Sequence, residues 1–249
     1  MLSVLSIPKV QLVLILFLLY ATAAIKFPNV NTLFLLFVCV GFNVTFDLLF
    51  TLIRKRTFFI PLAAMVTGLI MALIIDRSST WLYIATAAAI AMGIKNFVRV
   101  DNRHILNPAA SGLFLSGLLF NQYLSWWGVS FQTVTQINLS NIIFFLILLS
   151  PAIISFFRFK KYYSILAYIF SSTVISQLLL SNFSLLDPSI LFFAIVMLPE
   201  PMTSPVNYKK QIIYGALVAV LPFLFAIPLV SNDPLLPSLL LGNLIFLKK

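Results

Sequence analysis

Asp47 is the one acid that lies well inside an apolar run, in Phe46-Asp47-Leu48-Leu49-Phe50. It precedes Arg54 by seven residues, so a helix would place it about 10 Å from that basic residue. A carboxylate at such a depth in lipid is costly unless it is paired, protonated or wetted. Two readings follow. Asp47 is an ion-coupling or proton site, or it is a structural partner for an Arg or Lys of the basic loops, for Asn43 or for Thr45.

Two other stretches could carry chemistry. Pro199-Glu200-Pro201-Met202-Thr203-Ser204-Pro205 sets three prolines and an acid directly after a short apolar segment. Proline removes backbone donors and stops a helix. Thr203, Ser204 and the freed carbonyls beside Glu200 and Pro205 then face a ligand, or the stretch is an ordinary rigid loop. Asn107-Pro108-Ala109-Ala110-Ser111-Gly112 opens a helix, with Asn as N-cap and Pro in the first turn. Its free amides form a modest anion site behind Lys95, Arg99, Arg103 and His104, where a phosphate or flavin could sit. A capped helix beside charges that only set topology fits the same residues. Thr67-Gly68 in mid-segment suits close helix packing. Cys39 is the sole cysteine and His104 the sole histidine, which excludes an internal disulfide and a His-rich metal site. No P-loop, dinucleotide-binding glycine motif, zinc motif or nucleophile elbow is present.

The elements that would position these residues are set by composition. Of 249 residues, 61% are apolar and 9% charged, and mean hydropathy is +1.09. A soluble domain carries roughly 25% charged residues. The apolar runs are continuous rather than alternating, so the expectation is an all-α polytopic membrane protein. Apolar segments lie near Val10–Ile25, Thr32–Ile53, Phe58–Ile75, Trp81–Ile94, Pro108–Phe120, Ile142–Phe157, Tyr163–Leu180, Ile190–Leu198, Ile212–Val230 and Pro234–Leu247. Several fall short of the about 20 residues of a full span. Short helices must rest on protein or line a cavity.

Charge tests this count of ten spans. Of the 16 Lys and Arg residues, 14 fall on one side and only Lys26 and Arg77 on the other. By the positive-inside rule the rich side is cytoplasmic, which puts both termini there, in a cell inner membrane. The net charge of +10 is thus a topological signal and not a nucleic-acid footprint. A rival reading takes Lys9, the first apolar run and Ala21-Thr22-Ala23 as a signal peptide, leaving nine spans. Trp126 and Trp127 with Tyr123 look like an interfacial belt, in an uncharged outer segment, Asn121–Asn141, for which partial re-entry is the alternative.

A shift of 126 residues brings Asn107-Pro108 onto Asp233-Pro234, and Leu113, Leu115, Leu118 and Phe120 onto Leu239, Leu241, Leu244 and Phe246. Five spans per half, residues 1–127 and 128–249, would be inverted in the membrane, a transporter-type architecture. Another shift, pairing Arg54–Arg56 with Arg158–Lys161, competes and gives no inversion.

Taken in order, four stretches resemble the D subunit of the Rnf electron-transport complex and its relative, the B subunit of the sodium-pumping NADH:quinone reductase (Nqr). They are Val66-Thr67-Gly68-Leu69-Ile70-Met71-Ala72-Leu73, Lys95 through Arg103-His104-Ile105-Leu106-Asn107-Pro108-Ala109-Ala110, Glu200-Pro201-Met202-Thr203-Ser204-Pro205 with Ile213-Tyr214-Gly215-Ala216-Leu217, and Leu239-Leu240-Leu241-Gly242-Asn243. The resemblance implies a ten-helix, two-repeat fold akin to urea and ammonium transporters. It implies flavin-mediated electron transfer coupled to Na+ or H+ movement, with other membrane and soluble subunits as partners. It nominates Thr67, Gly68, Lys95, Arg103, Asn107, Pro108, Glu200, Thr203, Pro205 and Asn243 as cofactor-binding or pore-lining residues. The family's Ser/Thr-Gly-Ala-Thr motif for covalent FMN does not occur. The corresponding segment, Trp126 to Thr133, is short, leaving Thr133 or Thr135 as sites for a covalent bond. The expected cofactor is therefore FMN or riboflavin held without a covalent bond. The alternative is a non-redox channel or carrier for a small solute or ion on the same scaffold. A third reading is a structural membrane partner with no activity of its own.

Overall fold

The computed structural model describes residues 7–57, 59–130, 139–180, 187–225 and 233–247. The chain is mostly helical and divides into two compact units, Met1–Phe131 and Gln132–Lys249. The covalent-FMN alternatives Thr133 and Thr135 lie outside the described residues.

The first unit begins with α1 (Pro8–Lys26) and α2 (Val30–Ile53), followed by α3 (Leu62–Ile74) and α4 (Trp81–Phe97). A two-residue hairpin, β1 (Arg99–Val100) and β2 (Arg103–His104), leads to α5 (Pro108–Phe120) and the short α6 (Trp127–Ser130). Local chemistry sets the helix starts. Asn29 accepts the Asn31 amide at 3.0 Å before α2, and Asn107 accepts the Ala110 amide at 3.0 Å before α5. Each fills one of the orphan donors of a first turn. Asp101 and Asn102 both take positive φ, the backbone that a tight two-residue hairpin demands.

The exposure pattern of α2 is compatible with a lipid-facing helix. Leu35, Cys39, Asn43, Asp47 and Thr51 are buried at steps of four. Leu33, Phe37, Leu49 and Ile53 face outward, Phe37 with 72% of its surface exposed. A helix that turns its polar side chains inward and phenylalanine outward suits a hydrocarbon surround, not water.

At the centre of the unit, α3 is buried on nearly every side, from Thr67 through Ile74. It packs against α1 and α2, while α4 packs against α2 and α5. The α2–α3 crossing is close because Gly68 has no side chain: a Cβ there would lie 2.7 Å from Val40 Cα. The short α3 therefore rests on protein, as its length required.

The second unit holds α7 (Leu139–Arg158), α8 (Tyr162–Leu180), α9 (Pro188–Met197), α10 (Tyr208–Phe225) and α11 (Leu235–Ile245). The last five residues of both α7 and α9 are π-helical turns, Ile154–Arg158 and Phe193–Met197. Here α8 packs on α10, and α10 on α11. Along α8 the buried row is Ser164, Tyr168, Ser172 and Ser176, whereas Leu166, Phe170, Val174 and Leu178 face out. This repeats the arrangement of α2.

All ten apolar segments of the sequence contain a helix. Among the described residues, four helices, α1, α2, α7 and α8, are long and apolar enough to cross a membrane, and α3, α5, α9 and α11 are shorter apolar helices.

The tryptophans depart from expectation. Trp126 and Trp127 are buried rather than forming a surface belt, and only Tyr123 is exposed. Trp127 donates from its indole nitrogen to Ala72 O at 3.0 Å and meets Tyr20 edge to face. Arg77 lies over the rings of Phe27 and Trp127 at 4.5 and 5.3 Å. The indole bridges α6 to the end of α3, and its one polar atom is satisfied there.

Candidate functional site

Asp47 is 2% exposed, deep between α2 and α4. Its Oδ2 lies 2.7 Å from Lys95 Nζ, and its Oδ1 accepts from Asn96 Nδ2 at 2.9 Å. Asn96 Nδ2 also donates to Met92 O at 3.1 Å, and Asn96 Oδ1 accepts from Arg54 Nη1 at 3.4 Å. Both carboxylate oxygens are thus engaged by consecutive residues in the last turn of α4. Lys95 and Asn96 are buried as well. The arrangement joins the pairing that the sequence offered for Asp47 to a network two residues wide. A buried pair of this kind is costly to break from one side, about 3–5 kcal/mol, because the remaining charge is stranded.

One turn away on the same face of α2, Asn43 is fully buried. Its Nδ2 donates to Cys39 O at 2.8 Å and contacts Met71 Sδ at 3.3 Å, while its Oδ1 has no partner. Asn43, Asp47 and Thr51 form a polar column on an otherwise apolar helix. Thr67 and Gly68 lie on α3 against this helix. Thr67 spends its hydroxyl on Ala63 O at 2.9 Å in its own helix.

Arg103 sits exposed on the hairpin, opposite Val100. Arg99 donates from Nη1 to Lys95 O at 3.1 Å and from Nη2 to Asn102 O. The basic stretch before Asn107 is therefore a folded hairpin tied to the end of α4. Burial, and then the nearby Arg54 and Arg56, hold the Arg99 guanidinium below its ordinary value.

In the second unit, Glu200, Thr203 and Pro205 belong to one pinned turn. Glu200 O accepts the Ser204 amide at 3.0 Å and its hydroxyl at 2.7 Å, and Thr203 Oγ1 lies 3.3 Å from Glu200 Oε2. The buried Lys161 ammonium donates to Ser204 O at 3.1 Å and Pro205 O at 2.6 Å. Gln211 Nε2 closes the loop from the other side, donating to Val206 O at 2.9 Å and Lys160 O at 3.1 Å. Asn243 reaches the same region through a relay: its Nδ2 donates to Tyr214 OH at 2.9 Å, which donates to Leu198 O at 3.4 Å.

The nominated residues thus fall into local groups. Asp47 on α2 meets Lys95 of α4, and Thr67 and Gly68 lie on α3 against the same helix. Arg103, Asn107 and Pro108 belong to the hairpin and the helix start after it. Glu200, Thr203, Pro205 and Asn243 gather around the proline turn. Sequence reasoning missed Asn96, Lys161 and Gln211 as organising residues. Asn96 left a signal, a second polar residue beside Lys95 at the end of an apolar run. Lys161 left none, since it reads as one of three loop cations.

A flavin can be tested against two of the places to which the sequence pointed. At Asn107, Pro108 has no N–H, the Ala110 amide is taken by the Asn107 side chain, and the Ser111 amide by Asn107 O at 3.0 Å. Such a turn offers a phosphate little beyond the Ala109 amide. In α6, a Cβ on Gly128 would lie 2.5 Å from Leu73 Cδ2, so the segment is already packed on α3. Neither place fits a flavin among the described residues. Also among the described residues, no group of three or more His, Cys, Asp or Glu side chains comes together to hold a metal.

A scan against protein-family models finds no match, and a search of the curated proteins finds none either.

Proposed function

We propose that this chain is a ten-span subunit of an Rnf- or Nqr-like assembly in a cell inner membrane, with both termini cytoplasmic. It couples flavin-mediated electron transfer to the movement of Na+ or H+. The observation that carries the ion half of this reading is the buried Asp47–Lys95 pair, set in a polar column on a helix whose outer face is apolar. Ionisable groups within a span mark ion and proton paths more often than packing. The electron half rests on the ordered motifs of the sequence. FMN or riboflavin, bound without a covalent link and away from the filled Asn107 turn and α6, would supply the redox chemistry, and partner subunits would deliver electrons, since this sequence carries no nucleotide-binding motif.

Features of both units support a 5+5 inverted repeat. The buried third helices, α3 and α9, start at Leu62 and Pro188, 126 positions apart. The fifth helices open at Asn107-Pro108 and just after Asp233-Pro234, also 126 apart, and in each the Asn107 or Asp233 side chain accepts a backbone amide at the helix start, from Ala110 and Leu235 respectively. In each half the second helix packs on the fourth and the fourth on the fifth.

A second reading, a non-redox channel or carrier on the same scaffold, is favoured by one observation. Two of the places nominated for a cofactor, the Asn107 turn and α6, are filled by the chain's own atoms.

The ion half is tested with Asp47→Asn in the assembled complex, in sealed membrane vesicles driven by a reductant. Ion uptake is expected to be lost while electron flow continues. Uptake at the native ratio to electron flow would leave Asp47 a structural partner only.

A further inference from the structure

The basic end of the first unit carries more positive charge than its own acids can neutralise. Arg54, Lys55 and Arg56 directly follow α2, and Arg99 and Arg103 lie on the hairpin after α4. Hydrogen bonds tie these two stretches to one place: Arg54 reaches Asn96 Oδ1, and Arg99 reaches Lys95 O in the same turn of α4. Asp47 is committed to Lys95 and Asn96, which leaves the exposed Asp101 at the hairpin tip as the nearest further acid along these stretches. Arg99 Nε is buried without a partner. Burial, and then repulsion from the nearby Arg54 and Arg56, holds the Arg99 guanidinium below its ordinary value.

What lies beside this patch is apolar and exposed. Leu49, Leu52 and Ile53 on α2, and Phe97 and Val98 at the end of α4, are each between 39% and 60% exposed. A free phosphate ion would use only the cations. A ligand with an anionic head and acyl chains would use both, with its head on the arginines and its chains along the outer faces of α2 and α4.

We infer that the Arg54–Arg56 segment and the Arg99–Arg103 hairpin form a binding site for the headgroup of an anionic phospholipid. The inference needs the chain to lie in a membrane but does not depend on the redox reading.

The test is native mass spectrometry of the full chain in mild detergent, titrated with phosphatidylglycerol or phosphatidylcholine of the same acyl chains. Phosphatidylglycerol is expected to be retained preferentially. Each basic residue near a membrane surface contributes a factor of about five, so the exposed pair change Lys55→Gln/Arg56→Gln should weaken retention by about 25-fold. That variant alters no buried contact of Asp47. Lys209→Gln/Lys210→Gln, an exposed pair in the second unit, should change retention little. Equal retention of the two lipids, or equal loss from both variants, would overturn the site. So would displacement of the lipid by inorganic phosphate, which would make it a site for free anions.

Discussion

At the scale of single residues, the Asp47–Lys95–Asn96 network makes a quantitative claim about stranded charge. Asp47→Ala leaves the buried Lys95 ammonium without its counter-ion and should cost about 3–5 kcal/mol. The double change Asp47→Leu/Lys95→Met removes both charges and should recover most of that loss. Chemical unfolding in detergent measures both, and an additive double mutant would contradict the pairing. Asp76, in the turn after α3, makes a claim about pH. The Ser78 hydroxyl, at 2.5 Å, is the largest influence holding its carboxyl below the usual range, outweighing burial; the Ser78 amide and Arg77 act in the same direction. A carboxyl depressed on folding contributes stability above its unfolded value of about 3.9, and that contribution is lost as pH falls through the lower folded value. Melting temperature should therefore fall below about pH 4, and less steeply in Ser78→Ala. Asp47 was legible in the sequence as an acid out of place, and an Arg or Lys partner was among the readings. Its particular partner was not legible, because Lys95 lies 48 positions away and only the α2–α4 contact brings the two together.

At the scale of elements, close crossings set where glycine is needed. Gly41 and Gly68 would both gain helix propensity on becoming alanine, worth about 0.5–1 kcal/mol. Gly41 has open space around its missing Cβ, whereas Gly68 faces Val40 Cα at 2.7 Å and Cys39 O at 2.9 Å. Gly41→Ala should stabilise by roughly that propensity gain, and Gly68→Ala should destabilise by about 1–3 kcal/mol through overpacking. Thermal unfolding of the two variants side by side checks the α2–α3 crossing directly. The sequence made the apolar helices visible through unbroken hydropathy, and the Asn107 cap through residue type. It hid the Arg99–His104 hairpin, whose four paired residues are too few to show a period. It also hid the buried place of Trp127, since an indole next to an uncharged loop suits a membrane interface equally well. The π-helical ends of α7 and α9 carry no composition signal at all.

At the scale of the whole molecule, the proposed function has a redox cofactor drive an ion across the membrane. Composition pointed to a membrane setting, and the proposed repeat rests in the sequence on Asn107-Pro108 and Asp233-Pro234. The proposed cofactor rests on the ordered motifs alone, because a flavin held without a covalent bond needs a surface assembled from distant residues. The most direct measurement is the visible spectrum of the protein purified from its native membrane in mild detergent, followed by acid precipitation. The account predicts flavin absorbance that passes to the supernatant. A folded protein with no flavin at all would contradict it and leave the channel or carrier reading in its place.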